Sequence, residues 1–247
     1  MSRFLKRSKP SEIVRKLVVK TVMERSLIQE GDRVLVAVSG GKDSSVLAWA
    51  LAAVKPALKI NYELAAVHIS ADFNGCYANP LLGEKMKEWG IPFTDLFVPV
   101  IGRLKEGENM NCYWCATQRR LELINYAVKN GFNKIALGHH LDDIIETFFM
   151  NLTSKGELLA MPVFLKYRKF PVSLIRPLAM LEEKRIIACA IEWDILKDAS
   201  TCPYGQNSKR LEIRSGIADF MGGKDSGETK LRILKALGKG KIDYLMK

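Results

Sequence analysis

Six consecutive residues, Ser39-Gly40-Gly41-Lys42-Asp43-Ser44, have the composition of a phosphate-binding loop. Glycines let the backbone turn sharply and approach a ligand closely, and a helix that starts at the loop presents unpaired N–H groups to phosphate. The serine hydroxyls add donors, Lys42 can neutralise phosphate charge, and Asp43 can hold Mg²⁺ or brace the loop. The spacing fits neither G-x-x-x-x-G-K-[ST] nor G-x-G-x-x-G. The run therefore predicts a phosphate site of another type, with a simple glycine turn as the alternative.

Two thiols stand at C-x₂-C spacing, Cys112 and Cys115, and Arg119 and Arg120 follow one helical turn later. The start of a predicted helix favours thiolates at both positions. A third cysteine, Cys202, stands far along the chain before a proline. Thiolates bind iron–sulfur clusters and also zinc, so the residues predict a metal site and leave the metal open.

The run Gly138-His139-His140-Leu141-Asp142-Asp143 follows a predicted strand and places two carboxylates at a helix N-terminus. Carboxylates suit Mg²⁺, so either Asp142 or Asp143 is expected to share the ion with Asp43. The histidines could bind a metal or transfer protons. Because the carboxylates already suit the ion, a positional role is predicted for His139 and His140.

The elements that would position these motifs alternate between strands and helices. Apolar, β-branched runs predict strands at Arg33–Val38, Leu64–Ile69, Phe93–Val98 and Lys134–Leu137. Helical patterns predict helices near residues 11–27, capped by Ser11, and near 44–54, 80–89, 114–129, 141–151 and 181–193. The fold class predicted is α/β, with an open, mostly parallel five-stranded sheet, helices on both faces and further helices at both termini. Ligands bind at the carboxyl ends of such strands, where the motifs stand.

The chain is strongly basic, since 38 Lys and Arg against 27 Asp and Glu give a net charge of +11. The basic residues cluster, at Arg3 to Lys9, Lys166 to Lys169, Lys209 to Arg214 and Lys230 to Lys247. Clustered positive charge favours a polyanionic partner such as RNA, and simple solubility is the alternative.

The distribution of apolar residues predicts a globular, cytoplasmic protein without a membrane partner. No segment approaches the ~20 uninterrupted apolar residues of a membrane helix, and the basic N-terminus lacks the apolar stretch of an export signal. Cytosolic redox conditions argue against a disulfide framework for the five cysteines. Cys189 is expected in the core, and Cys76 is expected to be structural, although it lies near the site.

The phosphate loop resembles the PP-loop of the N-type ATP pyrophosphatase superfamily, whose members cleave ATP between the α and β phosphates to adenylate a substrate. The C-x₂-C pair with its trailing arginines, the Gly-His-His-x-Asp-Asp run, Ile175-Arg176-Pro177-Leu178 and the late Cys-Pro resemble the tRNA 2-thiolation family, in particular its tRNA 2-thiocytidine synthetase type. The resemblance covers roughly Gly31 to Arg214. One departure is Gly205, which stands where the synthetases carry a further cysteine.

The resemblance implies an adenine nucleotide alpha hydrolase-like, Rossmann-like fold and an ATP-dependent tRNA sulfurtransferase. ATP and Mg²⁺ would bind the phosphate loop with Ile69, Gly138 and His139, and Arg119 or Arg120 would stabilise the α-phosphoryl transition state. A [4Fe–4S] cluster would be held by Cys112, Cys115 and Cys202. The implied partners are tRNA and a sulfur donor, either a cysteine desulfurase or free sulfide, and a homodimer is compatible with the sequence.

Three regions are predicted: an N-terminal helical segment at 1–30, a PP-loop ATPase domain with the metal-binding cysteines at 31–205, and a basic helical extension at 206–247. Two other functions stay open. The chain could be a PP-loop enzyme that adenylates a different substrate, or a metal-bearing RNA-binding protein without catalytic activity.

Overall fold

The computed structural model describes residues 9–73, 75–195, 208–220 and 227–238, with the side chains of 208–210 and 220 excepted. In chain order the elements are α1 (Lys9–Glu24), β1 (Arg33–Ala37), α2 (Lys42–Leu58), β2 (Glu63–Ala71), α3 (Pro80–Glu88), β3 (Phe93–Val98), α4 (Cys112–Lys129), β4 (Lys134–Ala136), α5 (Leu141–Lys155), β5 (Phe164–Lys166), β6 (Ser173–Ile175), α6 (Glu183–Glu192), α7 (Ser208–Phe220) and α8 (Gly227–Leu237). None of the described helices is both long and apolar enough to cross a bilayer.

The strands form one open sheet in the order β3-β2-β1-β4-β6-β5. Strand β1 pairs in parallel with β2 on one side and with β4 on the other, so Leu35 faces Ala65 and Ile135. The chain passes from β1 to β2 and β3 on one side and then crosses to β4 on the other side of β1. This reversal of strand order creates a crevice at the carboxyl ends of β1 and β4. The predicted α/β class with a mostly parallel sheet is confirmed.

The predicted number of five strands is wrong for the part of the chain that the structure describes, where the sheet has six. The patterns assign residues to four of these strands and to neither β6 nor the edge strand β5, which pairs antiparallel with β6. Its three residues, Phe164, Leu165 and Lys166, are all exposed, and a segment this short, just after Pro162, gives no alternation long enough to predict a strand. The β5–β6 hairpin widens the sheet on the side next to β4.

Helices cover both faces of the sheet. One apolar layer joins α1, α2, α3 and α6 to the sheet and includes the fully buried Leu47, Leu51 and Trp49. The opposite layer joins α4 to residues of β2, β4 and β6. A third cluster packs α7 and α8 on α5, through side chains such as Ile144, Ile217 and Leu234. The division of the chain into three regions stays a prediction.

Ser11 does not cap α1, because this helix begins at Lys9 and Ser11 lies inside its first turn. The side chain is buried and joins α1 to the end of α6. Its Oγ accepts a hydrogen bond from Trp193 Nε1 at 3.0 Å and donates one to Glu192 Oε2 at 2.6 Å. A serine near a helix start thus has a tertiary partner here, which its local sequence does not indicate.

Candidate active site

A cleft of about 340 Å³ lies at the carboxyl ends of β1 and β4. Most of the predicted nucleotide residues line it, together with the two arginines of α4: Ser39, Asp43, Ser44, Ile69, Arg119, Arg120, Gly138, His139 and Asp143. Val67, Leu123 and Leu137 give it an apolar wall that the sequence patterns did not predict. The cleft therefore joins a polar phosphate end to a surface suited to a flat, apolar group such as a purine.

The phosphate loop is held in shape by its own serines. Ser44 Oγ accepts a hydrogen bond from the Ser39 N–H at 3.0 Å and donates to Gly41 O at 3.1 Å, and Ser39 Oγ accepts from the Gly41 N–H at 3.3 Å. Gly40 has a φ of +83°, a conformation that residues with a Cβ rarely adopt. The loop leads into α2, whose first turn contains Asp43 and Ser44. Its N–H groups are therefore positioned as an anion site.

Gly138 lets β4 approach the phosphate loop. A Cβ at this position would lie 2.9 Å from Ser44 N, 3.0 Å from Ser44 Cα and 3.1 Å from the Asp43 carbonyl carbon. These atoms belong to the backbone and cannot rotate away. Glycine is therefore required here by close packing of two chain segments that are about a hundred residues apart in the sequence.

Lys42 does not line the cleft but points toward the first turn of α6. Its Nζ lies 2.9 Å from Glu183 Oε1 and 3.2 Å from Asp43 Oδ2. Burial works to lower the pKa of Lys42, but the hydrogen bond to Glu183 and the charge of Asp43 outweigh it, so this pKa is raised. Glu183 could not be predicted as a site residue, because nothing in its local pattern indicates contact with Lys42, which stands 141 residues earlier.

His140 lies buried among three carboxylates. Its Nε2 is 3.4 Å from Asp143 Oδ2 and 3.8 Å from Asp43 Oδ1, and its Nδ1 is 3.5 Å from Asp142 Oδ2. Burial works to lower the pKa of His140, but these carboxylates raise it overall. The ring lies beside Asp43 of the phosphate loop and balances part of the negative charge, and its positional role stays a prediction.

The two adjacent carboxylates have different surroundings. Asp142 accepts hydrogen bonds from the Glu183 N–H at 2.7 Å and from Lys230 Nζ at 2.6 Å, and it faces away from the cleft. Burial works to raise the pKa of Asp142, but the hydrogen bond with His140 and the contacts with Lys230 and Glu183 hold this pKa well below its usual range. Asp143 lines the cleft, and its Oδ2 accepts the His140 N–H at 3.1 Å. Of the two predicted candidates, the structure brings Asp143 to the phosphate loop.

Asp43 has the surroundings expected of a cation ligand. Burial raises its pKa, and the charges of His140 and Lys42 offset only part of that rise. Its Oδ1 is buried and has no hydrogen-bond partner among the described residues. A buried carboxylate oxygen without such a partner is costly, and a divalent cation would satisfy it. The residues present therefore fit Mg²⁺ held between Asp43 and Asp143.

Helix α4 carries both the cysteine pair and the cleft arginines. Asn111 caps the helix, with its Oδ1 accepting the Trp114 N–H at 2.9 Å, and Trp114 Nε1 donates to Val100 O at 3.0 Å. Cys112 is exposed and Cys115 half-buried. Arg119 follows one turn later and donates from Nη2 to Ile69 O at 3.0 Å. The helix thus connects the thiols to the nucleotide cleft over a rise of roughly 6 Å.

The third predicted thiol, Cys202, lies outside the described residues. Within the described ranges, no group of three His, Cys, Asp or Glu side chains is arranged to hold a metal ion. Cys112 and Cys115 stand three residues apart at the start of a helix, where both can face one metal and where the helix dipole favours thiolates. The two described thiols fit part of a cluster site, and its completion by Cys202 stays a prediction.

Arg176 fixes the orientation of His139. The buried guanidinium donates from Nε to His139 Nδ1 at 3.2 Å and from Nη1 to Pro162 O. Because Nδ1 accepts this bond, that ring nitrogen carries no proton. The Ile175-Arg176-Pro177-Leu178 motif contributes to the family resemblance, but it does not indicate that Arg176 donates a hydrogen bond to His139.

Comparisons with known proteins show the family to which the chain belongs. A family model described as a PP-loop domain matches residues 11–218. A tRNA-cytidine(32) 2-sulfurtransferase from Dichelobacter nodosus is 35% identical over 238 residues, covering 94% of this chain and 88% of the relative. Another protein of that name, from Geobacter sulfurreducens, is 32% identical over 239 residues and covers 94% of this chain and 91% of the relative.

Solved structures also resemble this chain. A U34-tRNA thiolase from Methanococcus maripaludis, solved with its [4Fe-4S] cluster, superimposes with a TM-score of 0.75 at 26% identity, covering 95% of this chain and 79% of the thiolase. An NMN synthetase from Francisella tularensis gives a TM-score of 0.54 at 16% identity, covering 98% and 99% of the two chains. The second likeness concerns the fold alone.

Proposed function

This chain belongs to the PP-loop domain family and to its tRNA 2-thiocytidine synthetase branch, and from that premise we propose that it replaces the C2 oxygen of a tRNA pyrimidine with sulfur at the expense of ATP. The observation that carries the proposal is the course of α4. This helix starts with Cys112 and Cys115 and then brings Arg119 and Arg120 into the cleft beside the phosphate loop. Sulfur chemistry and nucleotide chemistry are thereby joined on one rigid element.

The first step is adenylation of the base. The C2 oxygen attacks the α-phosphorus of ATP, a new P–O bond forms, the bond between the α and β phosphates breaks, and pyrophosphate leaves. The N–H groups of the phosphate loop and the hydroxyls of Ser39 and Ser44 bind the phosphates. Arg119, which Ile69 O holds at the cleft, stabilises the charge that develops on the α-phosphoryl group. The protein contributes mainly position and charge, as in other phosphoryl transfers.

Asp43 and Asp143 would hold the Mg²⁺ that neutralises the phosphates. Both carboxylates lie at the cleft, and the buried Asp43 oxygen without a hydrogen-bond partner among the described residues supports this role. Asp142, in contrast, serves to attach α6 and α8 to this end of the sheet.

The second step replaces oxygen with sulfur. When bound by Cys112, Cys115 and Cys202, a [4Fe–4S] cluster would supply the sulfide, since three thiolates leave one iron without a protein ligand. Attack of sulfide on C2 breaks the C2–O bond, and AMP leaves with the former carbonyl oxygen. The chain's own part is to keep the adenylated carbon within reach of α4 and to exclude water, for which the apolar wall of Val67, Leu123 and Leu137 is suited.

The substrate class proposed is a tRNA cytidine in an exposed loop. The relatives carry names that specify cytidine 32 of tRNA, and the thiolase with the similar structure is named for U34 of tRNA. A base must leave its stack to reach a cleft of this kind, which is easier in a loop than in a stem. The net charge of +11 agrees with a polyanionic substrate, and free sulfide or a cysteine desulfurase would provide the sulfur.

The proposal can be tested with protein purified without oxygen. Iron and sulfide content is measured first, and AMP and pyrophosphate are then followed with tRNA, ATP and sulfide. We expect both products to depend on tRNA, Asp43→Ala to abolish them, and Cys112→Ala to lose iron while Cys189→Ala keeps it. Nucleoside analysis of tRNA from a deletion strain should show loss of a 2-thiopyrimidine. Unchanged 2-thiopyrimidine content would disprove tRNA as the substrate. An enzyme that is active without iron would disprove the iron–sulfur cluster as the sulfur carrier.

A further inference from the structure

Lys42 is bound to a residue outside the phosphate loop. Its ammonium lies nearer to Glu183 Oε1, at 2.9 Å, than to Asp43 Oδ2, at 3.2 Å. The side chains of Lys42 and Glu183 are each 23% exposed, so water screens this pair only in part. Despite partial burial, the pKa of Glu183 is lowered by its hydrogen bond to Lys42 and by the charges of Lys42 and Arg214. The contact is therefore an ion pair that an incoming phosphate must compete with.

Glu183 also has a second cationic partner, on α7. Its Oε2 lies 3.0 Å from Arg214 Nη1, and Arg214 Nε donates to Glu146 Oε1 on α5 at 2.6 Å. Arg214 thus bridges α5 and α6, and Glu183 is shared between the phosphate loop and α7. The Glu183 N–H meanwhile donates to Asp142, which fixes the backbone of Glu183 whichever cation its carboxylate contacts.

From these contacts we infer that Glu183 is a positioning residue that holds Lys42 away from the phosphate site until ATP binds. When Lys42 moves from Glu183 to the phosphate, the ion pair between Glu183 and Arg214 changes as well, and Arg214 belongs to α7. Phosphate carries more charge than one carboxylate and attracts Lys42 more strongly. Once Lys42 moves, Glu183 retains Arg214 as its close cation, and that pair becomes stronger. Occupancy of the phosphate loop is thereby coupled to the attachment of α7 to the body of the protein.

The inference rests on ATP binding at the phosphate loop but not on sulfur transfer. It predicts a change of opposite sign for two substitutions. Glu183→Gln removes the competing charge, so ATP should bind roughly fivefold tighter, as expected for one ion pair at a partly exposed site. Arg214→Gln leaves Lys42 as the close cation of Glu183, so ATP should bind more weakly. A purely structural role for either residue would weaken ATP binding in both variants.

The test uses the full-length chain, ATP with Mg²⁺ and no tRNA. Calorimetry measures the affinity for ATP, and amide hydrogen exchange is followed in α7 with and without ATP. We expect ATP to slow exchange in α7 of the wild type, and we expect this response to vanish in both variants. Glu228→Gln is the matched control, because it neutralises a carboxylate of the exposed Glu228–Arg232 pair on α8. It should behave like the wild type.

The outcomes separate this inference from the proposed function. If ATP binds but α7 exchange does not respond to it, or if Glu183→Gln weakens ATP binding, the coupling is disproved while the sulfurtransferase proposal stands. If ATP does not bind to the wild type at all, both are disproved. A response of α7 that persists unchanged in Arg214→Gln would overturn the path through Arg214.

Discussion

Replacing Gly138 with alanine would place a Cβ 2.9 Å from the Ser44 backbone nitrogen. Because that atom is backbone, relief requires β4 or the phosphate loop to move. We expect Gly138→Ala to reduce stability by about 1–3 kcal/mol, a typical cost of overpacking. ATP affinity should fall about tenfold or more, since displacement of a positioning loop is amplified in binding. Denaturant unfolding and calorimetry with ATP measure the two effects.

Gly216→Ala provides the matched control for this substitution. Gly216 lies inside α7, and a Cβ there would meet no atom within 4 Å. Alanine in a helix interior should raise stability by about 0.5–1 kcal/mol and leave ATP affinity unchanged. If Gly138→Ala binds ATP as well as Gly216→Ala does, close approach of β4 to the loop is not required.

The cysteines should differ strongly in reactivity. Cys112 is exposed at the start of α4, whereas Cys189 is 0% exposed, and burial with the nearby Glu192 charge raises the pKa of Cys189 to about 12. At pH 8 only about one Cys189 in ten thousand would be a thiolate, which is the reactive form. With iron removed, iodoacetamide should modify Cys112 in native protein and Cys189 only after unfolding. Peptide mass spectrometry over a time course measures this, and equal rates would contradict the assigned burial.

At the scale of single residues, the sequence allows a role to be predicted only where that role depends on residues adjacent in the chain. The phosphate loop and the C-x₂-C pair could be interpreted because each motif contains its own chemistry. Glu183 and Arg176 could not, because their partners are Lys42 and His139, which the fold alone brings close. The choice between Asp142 and Asp143 was open for the same reason, since α8 supplies the cation that engages Asp142.

At the scale of elements, Ser11 joins α1 to α6. Ser11→Ala would leave Trp193 Nε1 without the acceptor it has at 3.0 Å and would remove the donor to Glu192. Trp193 is 6% exposed, so water replaces the lost bond poorly. We expect a loss of about 1–3 kcal/mol in the free energy of unfolding, the usual cost of leaving a buried polar group unsatisfied. Chemical denaturation checks the value.

Ser154→Ala is the comparison for this prediction, since Ser154 is exposed near the end of α5. Surface substitutions of this kind usually change stability by less than about 0.5 kcal/mol. Equal effects of the two substitutions would mean that the hydrogen bonds of Ser11 contribute little to the attachment of α1.

Element positions were predicted well where apolar periodicity is strong and poorly where an element is short or ends late. The strands of the parallel sheet that carry long apolar runs, such as β1 and β2, lie where the patterns placed them. Helix α2 continues to Leu58, past Pro56, whereas the pattern ended it near Val54. Strand β5 is held by pairing with β6 rather than by its own composition, and pairing is not visible in a local pattern.

At the scale of the whole molecule, positive charge lies on the turn between β5 and β6, whose flanking residues pack on the face of the sheet that α4 covers. Arg168 and Lys169 are exposed there. Tyr167 and Phe170, on either side of them, pack against the same apolar cluster as Trp114 and Cys115 of α4. The turn therefore carries its two cations on the face of the sheet that holds α4 and the cysteine pair, and we expect a bound tRNA to contact them there.

This arrangement predicts that Arg168→Ala with Lys169→Ala weakens tRNA binding and lowers its salt dependence. Each lost phosphate contact should reduce the slope of log affinity against log salt by about 0.7–0.9, so the pair should reduce it by roughly 1.5. Filter binding over a range of salt concentrations measures the slope, and ATP affinity should not change.

The control is a double variant that removes two positive charges from a different surface of the protein. Lys16 and Lys20 are exposed on α1, which packs against the other face of the sheet. If the net charge of +11 alone attracted tRNA, Lys16→Ala with Lys20→Ala would weaken binding as much as the changes in the turn. We expect a much smaller effect, because contacts beyond about 10 Å are screened at 0.1 M salt and only nearby cations release counterions from the bound strand. Equal slopes for the two double variants would disprove a tRNA path across the β5–β6 turn.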